Sequence, residues 1–366
     1  MLDIPKQAII RPISGHASEG PGKPMRMFRP KSFHLTLAAL ALATPLLSAC
    51  GPERPAPTIA PSKPPEVTVG PRIVDQAGAY RNFIDRVSAI SPSFADGGMV
   101  AKAVEAGSAI EPGQIMQGAI AYGAIVALED AAFVEGVRAQ AIGEVQRQQL
   151  ADSLAANPYN VLAIRGSGEA ASRVALVLAE DGQRLYDAGK AVKQSAYDVQ
   201  RQAWSKAEVA NRTGRLATAK SLSAMQFDSD LGETDLRAHA AGRRPAGGPV
   251  EAPYSQSVVR AVAVAAMAVL GHASGMRNET VGAVMQDPNI GGCARMTKLN
   301  LNQCLAVSKP YYEDIFCLGQ HIMMDSGRCV IRAAGQKEPY EPRFVPTVRP
   351  QTPAKPPVRR PAAKKK

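Results

Sequence analysis

Four cysteines lie in one short stretch near the end of the chain, and their thiols are the most distinctive chemistry in the sequence. They are Cys293, Cys304, Cys317 and Cys329. An even set of cysteines confined in this way is typical of disulfide bonds formed in an oxidising compartment. The sequence therefore predicts that all four are disulfide-bonded.

The order of pairing depends on the helices that carry the cysteines. Residues 297–308 and 311–318 have helical character on either side of Lys309-Pro310, so we expect an antiparallel hairpin whose second helix ends near residues 325–327. Facing positions in such a hairpin have a constant index sum, which favours two nested bonds. These bonds would be Cys304–Cys317 and Cys293–Cys329. Sequential pairing, 293 with 304 and 317 with 329, stays open because spacing alone does not fix connectivity.

A zinc site is the alternative use of the same thiols. Cys317 and His321 are four residues apart and share a helix face, and Cys304 could join them. Structural zinc sites usually take ligands from close pairs such as C-x₂₋₄-C, which this segment lacks. The sequence therefore favours disulfides without a metal or other cofactor, and predicts that His321 is a half-buried packing residue.

Catalytic residues do not stand out in the sequence. Neither G-x-S-x-G nor H-E-x-x-H occurs in it. A cell-wall hydrolase would need carboxylates that converge on a cleft, and Glu129, Glu135 and Glu313 are the acidic residues that could do so. Carboxylates on helix faces are ordinarily solvated, so we predict no catalytic residues.

The fifth cysteine, Cys50, ends a pattern of a different kind. Basic residues at 29–31 precede an apolar run at 35–47, and two small residues separate that run from Cys50. The run is shorter than the roughly 20 residues that span a bilayer, and this order of parts is typical of a signal peptide. Residues 1–26 are polar and rich in Pro and Gly, so we interpret them as an extension that precedes the true start.

The residues Leu47-Ser48-Ala49-Cys50 resemble the lipobox of bacterial lipoproteins. The resemblance implies that residues 1–49 are removed, that Cys50 carries the lipid, including a palmitate-type acyl chain, and that the protein stays on a membrane. Two or more acyl chains hold a protein firmly, whereas a single chain binds only marginally. By the family's sorting rule, Gly51 rather than Asp after the cysteine implies the outer membrane, facing the periplasm.

A proline-rich tether would follow the lipidated cysteine. Residues 51–71 contain seven prolines, and extended proline-rich chain spans about 3.1 Å per residue. The predicted segment 50–72 would thus hold the body up to about 60 Å from the membrane.

The C-terminal tail, residues 337–366, carries the excess charge. It has nine basic and two acidic residues, a net +7, and a chain that begins at Cys50 also has +7 rather than the +11 of the whole sequence. The folded body is therefore close to neutral. We expect the tail to be disordered and to bind an anionic envelope polymer or lipid headgroups, at about 1 kcal/mol per basic residue near such a surface. The residues concerned are Lys355, Arg359, Arg360, Lys364, Lys365 and Lys366. A solubilising tail without a partner is the alternative, and nucleic acid is not expected because an envelope lipoprotein does not meet it.

The elements between these segments are predicted to be helices only. Residues 115–128 are apolar on all sides, as in a buried core helix, and residues 255–270 form another Ala/Val-rich helix. A heptad-like rhythm predicts a helix from 169 to about 224 unless a glycine kinks it. Glycines and prolines predict a loop at 232–253.

The predicted fold is an all-α, irregular helical bundle with one long helix and a disulfide-stapled C-terminal helical hairpin, flanked by disordered proline-rich segments. The helical body would cover 73–290 and the four-cysteine segment 291–336. A coiled coil with a second chain is the alternative role of the long helix. These features favour a non-enzymatic structural or assembly role in the envelope. The protein would act either as a homo-oligomer or together with a partner in an envelope complex. A cell-wall enzyme or a periplasmic ligand-binding lipoprotein is the alternative.

Overall fold

Helices make up nearly all regular structure in the computed structural model, which describes residues 67–274 and 278–341. All of these residues belong to the unit Pro64–Lys366. The two described ranges contain no β-strand, only an isolated bridge between Glu208 and Pro310. The all-α prediction is therefore confirmed. Cys50, most of the tether and the tail beyond Glu341 lie outside the described residues.

Fourteen α-helices follow one another through the described ranges, and short 3₁₀ and π segments connect some of them. The α-helices are α1 Pro71–Ser88, α2 Gly97–Ser108, α3 Pro112–Ala127, α4 Ala131–Gln140, α5 Glu144–Ala156, α6 Ser167–Asp198, α7 Ala203–Lys206, α8 Arg212–Leu222, α9 Glu233–Gly242, α10 Gln256–Val269, α11 Asn278–Val284, α12 Pro288–Val307, α13 Tyr311–Cys317 and α14 Asp325–Ala333. The connecting segments include the 3₁₀ helices Pro158–Ala163 and Val199–Arg201 and the π-helix Leu318–Met324. Within these ranges no helix combines the length and hydropathy needed to cross a membrane.

The core is built around α3, as the sequence predicts. Nearly every residue from Ile115 to its end is buried, and the helix packs against α1, α6 and α10. Gly118 permits close contact with α1, because a Cβ there would lie 2.5 Å from the Gln76 carbonyl oxygen. Helix α10 is also confirmed, and Ser255 caps it by accepting a hydrogen bond from the Val258 amide at 3.2 Å.

The long helix is shorter than predicted. Helix α6 ends at Asp198 rather than continuing to about 224. The chain then tightens into the 3₁₀ turn Val199–Arg201, where the Ser205 hydroxyl donates hydrogen bonds to the carbonyls of Val199 and Gln202. These bonds satisfy carbonyls that a continuing helix would have used, so they favour the break.

The apolar seam of α6 packs inside this one chain. Val174, Leu178, Leu185 and Val192 are fully buried. The bundle interpretation of the heptad-like rhythm is therefore confirmed.

Helix α9 replaces part of the predicted loop at 232–253. Its first turn is stabilised by the Asp235 carboxylate, which accepts a hydrogen bond from the Gly232 amide at 3.1 Å. Leu236 and Ala240, one turn apart, are fully buried against the bundle. The loop prediction was wrong for this stretch, because the glycines and prolines that interrupt helices are concentrated beyond Gly242.

The four-cysteine segment forms the predicted helices, but the second one does not end near residues 325–327. Helix α13 continues through the π-helix into α14 and ends at Ala333. The Asp325 carboxylate accepts hydrogen bonds from Gln320 and Arg328 and pairs with His321, which links the turns on either side of the predicted end.

Candidate functional site

Two nested disulfides join the C-terminal helices. Cys293 on α12 is bonded to Cys329 on α14, with the Cα atoms 5.8 Å apart. Cys304 on α12 is bonded to Cys317 on α13, with the Cα atoms 5.7 Å apart. The nested pairing predicted from the hairpin is confirmed, and the sequential pairing of 293 with 304 and 317 with 329 is wrong.

The zinc alternative does not fit this arrangement. The sulfur atoms of Cys304 and Cys317 are bonded to each other, so neither is a thiolate ligand. The third candidate, His321, is half-buried and places its Nδ1 atom 2.8 Å from an Asp325 carboxylate oxygen. Within residues 67–274 and 278–341, no group of three His, Cys, Asp or Glu side chains could hold a metal ion.

An apolar groove lies beside the Cys304–Cys317 disulfide, between the C-terminal end of α6 and the hairpin. We call it the aromatic groove; it encloses about 430 Å³, and Ala196, Tyr197, Gln200, Cys304, Val307, Ser308, Tyr312, Glu313, Phe316 and Cys317 line it. The rings of Tyr197 and Phe316 meet edge to face, with centroids 6.4 Å apart. Tyr197 is 51% exposed and Val307 74% exposed, so the groove is open to solvent at these two side chains.

The aromatic groove continues into a second, more polar cavity of about 440 Å³. Gln200 and Tyr312 line both cavities, and Lys206, Glu208, Lys309 and Pro310 complete the second. Backbone hydrogen bonds fix its rim, because the Val209 amide donates to the Lys309 carbonyl at 2.8 Å and the Tyr311 amide donates to the Ala207 carbonyl at 3.3 Å. The sequence signal for this surface is the occurrence of Tyr312 and Phe316 four residues apart in a chain with only 5% aromatic residues.

The last described residue, Glu341, is held next to the aromatic groove. Its carboxylate accepts hydrogen bonds from Lys193 of α6 at 2.6 Å and from Arg328 of α14 at 3.0 Å. Partial burial raises the pKa of this carboxyl, but the bonds from Lys193 and Arg328 outweigh it and lower the pKa. The same Lys193 ammonium lies 5.4 Å from the centroid of the Phe316 ring. Lys193 therefore connects the last described residue to Phe316 in the groove lining.

A buried charge cluster is the second notable arrangement, and its centre is Asp181 of α6. This side chain is fully buried, and its carboxylate accepts hydrogen bonds from Arg81 at 2.6 Å, Arg243 at 2.7 Å and the Tyr80 hydroxyl at 3.2 Å. Arg81 also pairs with Asp85 at 2.6 Å. Burial and the Asp181 charge raise the pKa of the Tyr80 phenol well above its usual value, so it stays a donor.

Tyr122 and His239 extend this cluster. The Tyr122 hydroxyl lies 2.6 Å from the His239 Nδ1 atom. Burial raises the pKa of Tyr122 to about 12. Burial, followed by the charges of Arg81 and Arg243, lowers the pKa of His239, so the imidazole is neutral at pH 7. The cluster joins α1, α3, α6 and α9, and a salt-bridged carboxylate with three donors is a structural centre rather than a free acid or base.

Lys298 of α12 is a buried amine at the C-terminal end of α2. Its Nζ atom donates hydrogen bonds to the carbonyls of Gly107 and Ser108, both at 3.3 Å. These carbonyls end α2, where the helix dipole favours a cation. Burial, followed by the charge of Arg86, nevertheless lowers the pKa of Lys298 from 10.5 to about 7.

The three carboxylates considered for hydrolysis have separate environments. Glu129 lies 3.8 Å from Arg237, and Glu135 is mostly exposed and lies 3.8 Å from Arg165. Glu313 accepts a hydrogen bond from the Lys309 amide at 2.8 Å. The structure does not bury these carboxylates together, so they do not form the acid–base pair that glycoside hydrolysis requires.

The predicted lipidation and surface-binding residues fall outside the described ranges. These are Cys50 and the basic residues Lys355, Arg359, Arg360, Lys364, Lys365 and Lys366. Comparison with known proteins adds no relative: no protein-family model, curated protein or solved structure matches the chain.

Proposed function

We propose that this protein is a lipid-anchored component of a bacterial cell envelope with a structural or assembly role rather than a catalytic one. The observation that carries the proposal is Leu47-Ser48-Ala49-Cys50 at the end of a short apolar run. Lipidation of Cys50 would place the protein on the outer membrane, facing the periplasm, and residues 51–71 would act as a spacer between the lipid and the helices.

The helical body supports a structural role. Its most polar buried groups are used internally, as when the Asp181 carboxylate accepts bonds from Arg81 and Arg243. Its two disulfides suit an oxidising compartment such as the periplasm. The aromatic groove offers a surface for contact with a polypeptide segment, because exposed apolar side chains that line a groove are typical of interaction sites.

The basic tail would add a second attachment. Lys355, Arg359 and Arg360, with the three lysines at the C-terminus, would bind an anionic envelope polymer or lipid headgroups, while the lipid holds the other end of the chain. Such binding is electrostatic, so it would weaken as salt is raised.

A periplasmic ligand-binding lipoprotein is the second candidate. The aromatic groove encloses about 430 Å³ and has Tyr and Phe side chains among its lining residues. That size is within the range of small-molecule sites, about 300–1,000 Å³. A ligand-binding role predicts that the purified protein retains a small molecule, whereas the assembly role predicts that it retains another protein.

Labelling with a radioactive fatty acid tests the anchor. The wild-type protein is expected to incorporate the label and to fractionate with membranes, because Cys50 is acylated. Cys50→Ser is expected to lose the label and the membrane association, and Ser48→Ala, which keeps a small residue in the motif, is expected to retain both. Acylated, membrane-bound Cys50→Ser protein would refute the proposed anchor.

The assembly role is tested by crosslinking the native protein in envelopes and recovering it in mild detergent. Stoichiometric recovery of one or a few envelope proteins, read by mass spectrometry, is the expected result. Recovery of a monomer with only lipid or cell-wall fragments would contradict the assembly role and leave the proposed anchor unaffected.

A further inference from the structure

We infer that the aromatic groove binds the proline-rich tail of its own chain, residues 342–357. This inference goes beyond the proposed function, because a structural role in the envelope does not specify what occupies the groove. It rests on the lining of the groove, on the place where the described chain ends, and on the sequence of the segment that follows.

The lining fits a polyproline segment. Grooves that bind such segments present aromatic rings, against which the proline rings pack. Tyr197, Tyr312 and Phe316 provide such rings. A polyproline II helix makes no internal hydrogen bonds, so its carbonyl oxygens are free to accept hydrogen bonds from other groups. Gln200 and Tyr312, which both line the groove, carry donors of that kind in an amide and a hydroxyl group.

The place where the described chain ends puts the tail at the groove. Glu341 is bonded to Lys193, and the Lys193 ammonium lies over the Phe316 ring. Pro346 follows Glu341 by five residues, a span of about 15 Å in polyproline II conformation, so the tail reaches the groove without a long closed loop. A segment tethered this closely has an effective concentration on the order of millimolar, which lets even a weak contact form.

The tail sequence provides the matching chemistry. Between residues 342 and 357 prolines recur at short intervals, at Pro342, Pro346, Pro350, Pro353, Pro356 and Pro357. Phe344 and two valines lie among them. The segment would therefore bury apolar surface in the groove. Five of the six basic residues proposed to bind an anionic surface, all except Lys355, lie beyond residue 357 and remain available to it.

Charge does not select this occupant. The acidic Glu208 and Glu313 around the two cavities are balanced by Lys206 and Lys309. Binding would therefore depend on apolar and aromatic contacts, which salt does not screen. Salt dependence thus separates docking in the groove from attraction of the tail to acidic groups elsewhere on the body.

Photo-crosslinking in the full mature chain tests the inference. Benzoylphenylalanine is placed at Val307, which lines the groove and is 74% exposed, and, as a matched control, at Val145 of α5, which is 67% exposed and is not among the lining residues. The Val307 probe is expected to link to peptides from residues 342–357 within a monomer, at both low and high salt. The Val145 probe is expected to give no tail-linked product.

Variants in the tail complete the test, because they leave the sequence of the helical body unchanged. Pro346→Ala, Pro350→Ala and Pro353→Ala together are expected to abolish the crosslink, whereas Lys364→Ala, Lys365→Ala and Lys366→Ala together are expected to leave it unchanged. Equal yields from the two probe positions would overturn the inference, as would loss of the crosslink at high salt. Tail-linked product found only in covalent dimers would also overturn it, and would assign the groove to the tail of a second copy.

Discussion

The carboxylate of Asp181 connects three stretches of chain that are far apart in the sequence. Arg81 on α1 and Arg243 after α9 both donate to it, at 2.6 Å and 2.7 Å. Taking three charges out of water is unfavourable unless each is paired, so the pairs are interdependent. The negative charge of Asp181 therefore offsets the free-energy cost of burying the Arg81 guanidinium.

Asp181→Asn tests this dependence. The substitution keeps the shape of the side chain but leaves Arg81 without its buried counter-charge, so we expect the free energy of unfolding to fall by about 3–5 kcal/mol. Urea denaturation followed by circular dichroism measures the change. Glu180→Gln is the matched control: it removes a neighbouring partner of Arg243 that is 52% exposed, and about 1 kcal/mol or less is expected. A loss below 1 kcal/mol for Asp181→Asn would contradict the role assigned to this carboxylate.

Lys298 makes stability depend on pH. The amine has a pKa of about 7 when folded against 10.5 when exposed, so the unfolded chain binds more protons between these values. The free energy of unfolding should therefore rise with pH above about 7, with a slope approaching about 1.4 kcal/mol per pH unit from this group. Below about pH 7 both states are protonated and the full penalty for the buried cation remains.

Comparison of wild type with Lys298→Met isolates this contribution. Unfolding free energies measured from pH 7 to pH 9.5 should rise less steeply in the variant than in wild type. Lys190→Met, at an exposed position on α6, should follow the wild-type slope. Parallel curves for wild type and Lys298→Met would show that the amine does not titrate in this range.

At the scale of elements, two glycine pairs bring α6 against the C-terminal helices. A Cβ at Gly182 would lie 2.8 Å from the Gly327 carbonyl oxygen, and one at Gly189 would lie 2.9 Å from that of Gly319. Such approach of two helix backbones is possible only where both lack side chains. Glycines that could have kinked α6 instead serve as its contact points with the π-helix and α14.

Gly189→Ala should disrupt this contact. The added methyl would lie 2.6 Å from the Met323 Cβ atom, and overpacking of this kind typically lowers the free energy of unfolding by about 1–3 kcal/mol. Gly242→Ala is the control, because a Cβ there meets nothing within 4 Å. Equal stability of the two variants in urea would contradict the proposed packing.

The disulfides hold the same elements together over loops of different length. Cys304 and Cys317 are 13 residues apart, and Cys293 and Cys329 are 36 apart. Loop-closure entropy gives about 3 kcal/mol for the shorter loop and about 4 kcal/mol for the longer. We therefore expect the Cys293→Ala/Cys329→Ala variant to lose more unfolding free energy in urea than the Cys304→Ala/Cys317→Ala variant. A larger loss for the shorter loop would contradict the entropic explanation.

The sequence predicted elements whose signal is local and missed those that depend on distant partners. Helix α3 was predictable because it is apolar on all faces. The end of α6 was not, because the bonds from Ser205 that follow it are not visible as a pattern. The role of Asp181 was not predictable, since its partners Arg81 and Arg243 are 100 and 62 residues away. The nested disulfides were predictable because a hairpin fixes which positions face each other.

The whole molecule combines three parts with different physical roles. The lipid on Cys50 would hold the protein at the membrane, the helical body would present the aromatic groove, and the tail would continue from Glu341 near the groove. The described residues provide the geometry of the second part and of the point where the third begins. The first part rests on the lipobox resemblance.

Mass spectrometry of the N-terminal peptide of the native protein tests the proposed lipid anchor without any substitution. Trypsin does not cut before proline, so Arg54-Pro55 and Lys63-Pro64 stay intact and the first peptide of the mature chain should span residues 50–72. We expect this peptide to begin at Cys50 and to carry the mass of acyl chains attached to that cysteine. A native protein whose first peptide extends upstream of Cys50, or whose Cys50 is unmodified, would contradict the proposed anchor.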